Sequence, residues 1–233
     1  MLSRADIKFI RSLEHRKFRL SADAFVAEGP KLVGELSRHL HCRLLVDSPE
    51  EVERCTLQKS PQGILAVFDI PHYTLPSAEE IGDNLILALD AVQDPGNVGT
   101  IIRLADWFGI RHVMLGDGCA DAFSPKTVQA TMGALARVRV HEVCLSEWLD
   151  TLPAGTPVSG TFLDGDNIYN KVLPASGVIV MGNEGRGVSD EVARRATHRL
   201  FIPSFPPGSE TSESLNVAIA TAITCAEFRR RTN

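Results

Sequence analysis

The chain has 233 residues, 44% of them hydrophobic and 23% charged, with a formal net charge of −5. That suffices to bury a core in one or two domains, and no apolar run approaches the roughly 20 residues a membrane-spanning helix needs. The acidic balance argues against a protein that coats nucleic acid nonspecifically, and five scattered cysteines without a C-x-x-C pair exclude a zinc or disulfide framework from the expectation.

The start, Met1-Leu2-Ser3-Arg4-Ala5-Asp6, lacks the apolar stretch of a signal peptide, so a cytoplasmic protein is expected. Ile7, Ile10 and Leu13 at helical spacing predict an amphipathic helix over 5–18. Residues 1–43 carry nine Lys/Arg against five acids, and the tail ends Arg229-Arg230-Arg231, a pattern that fits phosphate contact at chosen places as well as a solvated face. Ala24–Gly29 reads as a strand and Pro30–Leu40 as a helix with Pro in its first turn. Leu44–Val46 and Ile64–Phe68 add short strands, giving a small α/β unit over 1–70. Residues 71–83 have little periodicity and read as a linker.

From Asn84 to the end, strand, turn and helix repeat. Leu85–Leu89, His112–Leu115, Val138–Val143, Pro157–Phe162, Val178–Met181 and Leu200–Ile202 are apolar strands without alternation, with helices expected at 98–108, 125–135, 147–152, 189–196 and 215–230. Such strands imply a mainly parallel sheet covered on both faces.

Three turns of this second unit carry polar groups where open α/β sheets gather ligand contacts. In Asp94-Pro95-Gly96-Asn97-Val98-Gly99, Asn97 is suited to cap a helix beginning at Val98. Arg103 follows, hemmed in by Ile101, Ile102, Leu104 and Ala105, which predicts a dedicated partner for its guanidinium. Gly182-Asn183-Glu184-Gly185-Arg186-Gly187 follows a strand but is neither a dinucleotide fingerprint nor a P-loop. In Ser214-Leu215-Asn216-Val217, Ser214 can cap the last helix, and Asn216 within an apolar stretch predicts a buried amide with hydrogen-bond partners.

Together these residues resemble the SpoU family of RNA ribose 2′-O-methyltransferases, in the SPOUT superfamily. The resemblance rests on Leu87 through Arg103, on Met181 through Gly187, and on Ser214-Leu215-Asn216-Val217. It extends to Ser124-Pro125-Lys126, to Met132-Gly133-Ala134-Leu135, and to Phe25 through Lys31 and Pro61 through Val67 in the first unit. It implies an S-adenosylmethionine-dependent enzyme acting on rRNA or tRNA, dimeric and metal-free. Its α/β domain, 84–233, would carry a deep trefoil knot, and 1–70 would be an L30e-like RNA-binding domain.

The same resemblance implies that Arg103, Asn97, Glu184, Ser214 and Asn216 form the catalytic site, with Asn97 and Asn216 orienting Arg103 and the 2′-hydroxyl and Glu184 fixing the motif loops or the arginine. Met181, Gly182, Asn183, Ile202 and Leu215 would meet the cofactor, largely through backbone groups. A guanidinium is a poor base, since its pKa exceeds about 12, so Arg103 is expected to bind phosphate and steady developing alkoxide charge. The segment 204–213 is longer than the usual family spacing and is expected over the cofactor. With the acidic net charge, it motivates an alternative, a non-catalytic RNA-binding or assembly factor with the same fold. A small-molecule-binding α/β protein is a third class, disfavoured by the basic first unit.

Overall fold

The computed structural model describes residues 2–206 and 214–230. Helix α1 (Arg4–Ser12) begins at a capping box in which Ser3 and Asp6 each accept the other's backbone N–H. The single helix expected over 5–18 is instead two, because the chain turns at fully buried Leu13 and restarts as α2 (Arg16–Ala22) after an extended His15. Then come β1 (Ala24–Glu28), α3 (Pro30–Leu36), β2 (Cys42–Val46), α4 (Pro49–Cys55) and β3 (Leu65–Asp69). The three strands form an antiparallel sheet in the order β1-β3-β2.

Every residue of β1 is buried because its two faces meet different partners. Ala24 and Val26 pack with Ile10, Leu13 and Val52 of the first unit. Phe25 and Ala27 belong to the core of the second unit, with the Phe25 and Phe123 rings 5.1 Å apart. The small sheet is therefore one layer of a continuous interior. The segment read as a linker contains α5 (Ala78–Asp83), started by a Ser77–Glu80 capping box and seated through buried Ile81.

The second unit runs β4 (Leu85–Leu89), α6 (Pro95–Trp107), β5 (His112–Leu115), α7 (Pro125–Thr131), β6 (Arg139–Glu142) and α8 (Leu145–Asp150). It continues with β7 (Val158–Asn167), β8 (Gly177–Met181), α9 (Asp190–Ala193), β9 (His198–Phe201) and α10 (Val217–Arg230). Its six strands are all parallel, in the order β6-β5-β4-β8-β7-β9. Helices α6 and α10 cover one face and α8 and α9 the other, so apolar runs without alternation are buried on both sides. Gly99 lets α6 and α7 meet closely, since a Cβ there would lie 2.5 Å from the Thr127 carbonyl oxygen. This strand order sets the C-terminal ends of β4 and β8 side by side at the middle of the sheet. Among the described residues, no helix is long and apolar enough to cross a membrane.

Candidate active site

Asp94, rather than Asn97, caps α6. Its carboxylate accepts the Asn97 N–H at 2.9 Å, and Pro95 occupies the first turn. The Lys126 ammonium and that N–H hold the Asp94 carboxyl below the usual carboxylate range. The Asp-Pro pair already carried this signal in the sequence. Asn97 thus lies inside the first turn, and its side chain is released for other work. Its amide Nδ2 donates to Glu184 Oε1 at 2.6 Å, and its Oδ1 accepts from Asn216 Nδ2 at 3.1 Å.

Asn216, not Ser214, caps α10, accepting the N–H groups of Ala218 and Ile219 at 3.0 and 3.3 Å. It is exposed, not buried as its apolar neighbours suggested, because Val217 and Ala218 turn inward instead. Ser214 Oγ donates to the Glu184 carbonyl at 3.4 Å. Four of the five candidate catalytic residues therefore meet in one network drawn from all three turns.

Arg103 stands apart. It is exposed, and among the described residues no hydrogen bond or ion pair holds its guanidinium. Residues one apart on a helix point about 100° apart, so Ile101, Ile102 and Ala105 fill the core while Arg103 faces outward. Asn97 bonds Glu184 and Asn216 bonds Asn97, and neither asparagine bonds Arg103 among the described residues.

The turn at 182–187 is built to hold its shape. Asn183 Oδ1 accepts the N–H groups of Gly185 and Arg186 at 2.9 and 3.1 Å, and Asn183 Nδ2 donates to the Ala91 carbonyl at 2.8 Å. Ala91 presents that carbonyl from a left-handed conformation, φ 55°, uncommon for a residue with a Cβ. Asp90, overlooked in the sequence, is 8% exposed and accepts the Ser189 N–H at 2.7 Å, while its own N–H donates to the Met181 carbonyl at 2.9 Å. The loop after β8 is thus strapped against the loop after β4. A Cβ on Gly182 would collide with the backbone of Gly187 and Val188, so the strap closes only on glycine.

The candidate cofactor positions divide in two. Met181 is buried with its carbonyl committed to Asp90, and Asn183 is spent on the loop. Gly182, Ile202 and Leu215 stand just beyond β8, beyond β9 and ahead of α10. Among the described residues, no hydrogen bond engages the backbone N–H or C=O of these three, although Gly182 is buried. Buried backbone groups are normally paired. Open main-chain donors and acceptors beside apolar Ile202 and Leu215, the latter 45% exposed, suit a purine and its sulfonium side chain. The residues present fit S-adenosylmethionine. Of the long segment 204–213, residues 207–213 lie outside the described residues.

Residues 84–226 match the SpoU rRNA Methylase family, and residues 4–54 match the MRM3-like substrate binding domain. The chain belongs to the SpoU rRNA methylase family. It is 33% identical, over 96% of its length and 95% of the relative's, to the 23S rRNA (guanosine(2553)-2′-O)-methyltransferase RlmP of Bacillus subtilis. A solved TrmH-family structure from Porphyromonas gingivalis is 47% identical, with a TM-score of 0.87 and 99% of both chains covered. The AdoMet-bound rRNA methyltransferase of Sinorhizobium meliloti is 30% identical, with a TM-score of 0.83, covering 100% of this chain and 98% of that one. The fold is thus that of the knotted SpoU/SPOUT α/β domain preceded by a small substrate-binding domain, as the resemblance implied.

Proposed function

We infer that the protein transfers a methyl group from S-adenosylmethionine to a ribose 2′-hydroxyl of RNA, and that its RNA is 23S rRNA. The observation that carries this reading is the Asn97–Glu184–Asn216 network, which joins the three turns of the family at the C-terminal ends of β4 and β8. The RNA class follows the RlmP relative and a second relative, a 23S rRNA (uridine(2479)-2′-O)-methyltransferase of Streptomyces viridochromogenes, 28% identical over 86% of this chain.

S-adenosylmethionine, when bound, supplies an electrophilic methyl on sulfur. Gly182, Ile202 and Leu215 would hold it through main-chain groups. Asn97 fixes one carboxylate oxygen of Glu184, and the other has no hydrogen bond among the described residues. That free oxygen is the acceptor available to the 2′-hydroxyl proton. Arg103, exposed and with no ion pair among the described residues, binds the phosphate beside the target ribose and stabilises alkoxide charge as it develops. Residues 1–70 dock the RNA, 71–83 connect, and 84–233 carry the chemistry.

A homodimer is part of the same reading. Ile219, Ala222, Ile223 and Ala226 form the outward face of α10 and Leu215, just ahead of it, extends the stripe, with Leu215 and Ile219 45% and 54% exposed. The core instead takes Val217, Ala218, Cys225 and Phe228. An apolar stripe left uncovered on a helix is suited to a second copy. We place the enzyme in the cytoplasm.

The test is methyl transfer from labelled S-adenosylmethionine to unmodified 23S rRNA and tRNA transcripts, wild type beside Arg103→Ala. Label in alkali-resistant dinucleotides of 23S rRNA, lost by about 10²- to 10³-fold in the variant, is expected. Label on tRNA alone would reassign the RNA class. Full activity in the variant would remove Arg103 from the mechanism.

A further inference from the structure

Of the nine cations in residues 1–43, Arg16, Arg19, Arg38 and Arg43 are spent on ion pairs with carboxylates of the protein itself. Arg19 is buried and bonds Asp121 at 2.5 Å, clamping the two units together. The exposed cations of α1 sit over the sheet face turned away from the second unit, where α1 packs with α4. Lys17, on α2, is exposed and makes no ion pair among the described residues; Lys31, and Lys59 beyond this stretch, differ from all of these by their place. They are exposed and make no ion pair among the described residues; Lys59 follows Gln58 in the loop that reaches α7, and Lys31 stands two residues beyond Gly29, which packs against Gln62 of the same loop.

That loop is held by an unusual group. Glu28 is 3% exposed, and among the described residues it makes no ion pair. Its Oε2 accepts from the Thr56 hydroxyl at 2.7 Å and its Oε1 from the Gln62 N–H at 2.9 Å. Burying a carboxylate is costly unless hydrogen bonds compensate it. An apolar side chain could fill the space, but it could not hold both ends of the 56–62 loop to β1. From this loop Gln58 Nε2 donates to Gln129 Oε1 of α7 at 2.9 Å. One helical turn earlier on α7, Lys126 pairs with Asp94 at 2.9 Å, and Asp94 caps the helix that carries Asn97. A polar seam thus runs from the Glu28-pinned loop to the candidate active site.

We propose that this seam, with Lys31 and Lys59 at its flanks, is the track for the RNA sugar–phosphate backbone, that the basic first helix is not, and that Glu28 is the positioning residue that sets it. The proposal rests on the methyltransferase reading for its substrate class. A strand entering the site must be held on the side where the two units meet, and unpaired ammonium groups there gain most from displacing phosphate counterions. Glu28 acts through the loop and does not touch RNA.

The test measures binding of an unmodified 23S rRNA transcript and of polyuridine over a salt series, with RNA KM, kcat and S-adenosylmethionine affinity for each variant. The double substitution Lys31→Ala, Lys59→Ala should weaken binding about tenfold and reduce the slope of log K against log salt by between roughly one and two. Lys8→Ala, Arg11→Ala should stay within about twofold. Glu28→Ala should raise the RNA KM with kcat and cofactor affinity unchanged, and Glu28→Gln, which can still bond both partners, should recover most of the loss. The proposal fails if the first-helix pair loses affinity and the seam pair does not, if Glu28→Ala lowers kcat with KM unchanged, or if the wild type binds neither RNA. Binding that maps to the seam without any methyl transfer would uphold the proposal and sink the methyltransferase reading instead.

Discussion

The parallel sheet carries two polar clusters, one beyond the ends of its middle strands and one on its β5–β6 side, and the two are made differently. At the C-terminal ends of β4 and β8, Asn97 and Glu184 are partly buried and Asn216 is exposed; hydrogen bonds link the three, which come from three separate loops. On β5 and β6, His112, the first residue of its strand, and His141, the third of its own, lie stacked, 5.2 Å between ring centroids and 3% and 6% exposed, beneath Tyr73 and Arg139. The first cluster offers groups to something outside the protein. The second is closed on itself and ties the 70–83 segment to the sheet. Buried polarity alone does not mark a site; partly exposed polarity held rigid by loops does.

That contrast breaks most sharply under substitution at Asn97. Asn97→Ala removes both bonds that orient Glu184 and Asn216, so kcat should fall about 10²-fold while the melting temperature barely moves. Single-turnover methylation beside a thermal melt would check this, and a large loss of stability with normal turnover would make the two clusters alike. Gly182→Ala should act on both measures. The added methyl meets the 187–188 backbone, costing about 1–3 kcal/mol as the strap opens, and titration calorimetry should show weakened S-adenosylmethionine binding. If the variant binds the cofactor normally, the strap does not shape the cofactor site.

The parallel sheet was readable because its apolar runs are buried on both faces, and the three turns because their residues sit directly beyond those runs. What could not be read came from neighbours distant in sequence. The exposure of Arg103 depends on which face of α6 meets the sheet, and the caps at Asp94 and Asn216 displaced those expected at Asn97 and Ser214. The Asp-Pro step announced the first of these, and Ser48-Pro49-Glu50 likewise announced α4. The strap through Asp90 and Ala91 left no local signal, since its partners lie 92 and 99 residues away. The α10 stripe was legible as a stripe, but only packing shows that it faces outward.

The smallest effect belongs to the histidine pair, and its sign separates the clusters. His112 Nδ1 and His141 Nε2 are 3.0 Å apart, and His112 Nε2 lies 3.6 Å from Glu80 Oε1. A proton on His112 Nε2 faces Glu80, which leaves His141 Nε2–H to donate to His112 Nδ1. Both rings are then neutral. Burial, then the neighbouring His112 and Arg139, push His141 down to about 4, and burial also lowers His112. Between the ordinary histidine value of about 6.5 and about 4, the unfolded chain binds protons that the folded chain refuses. Stability should therefore be whole above the upper limit and decline as pH falls through this window, by about 1–2 kcal/mol after allowance for relaxation of the pair. Urea unfolding at pH 7.5, 6, 5 and 4.5 would measure it, with His141→Asn flattening the slope. A slope unchanged in that variant would move the acid sensitivity to the carboxylates, such as Asp94 and Asp69, whose depressed pKa values also cost stability at low pH but mainly below the histidine window.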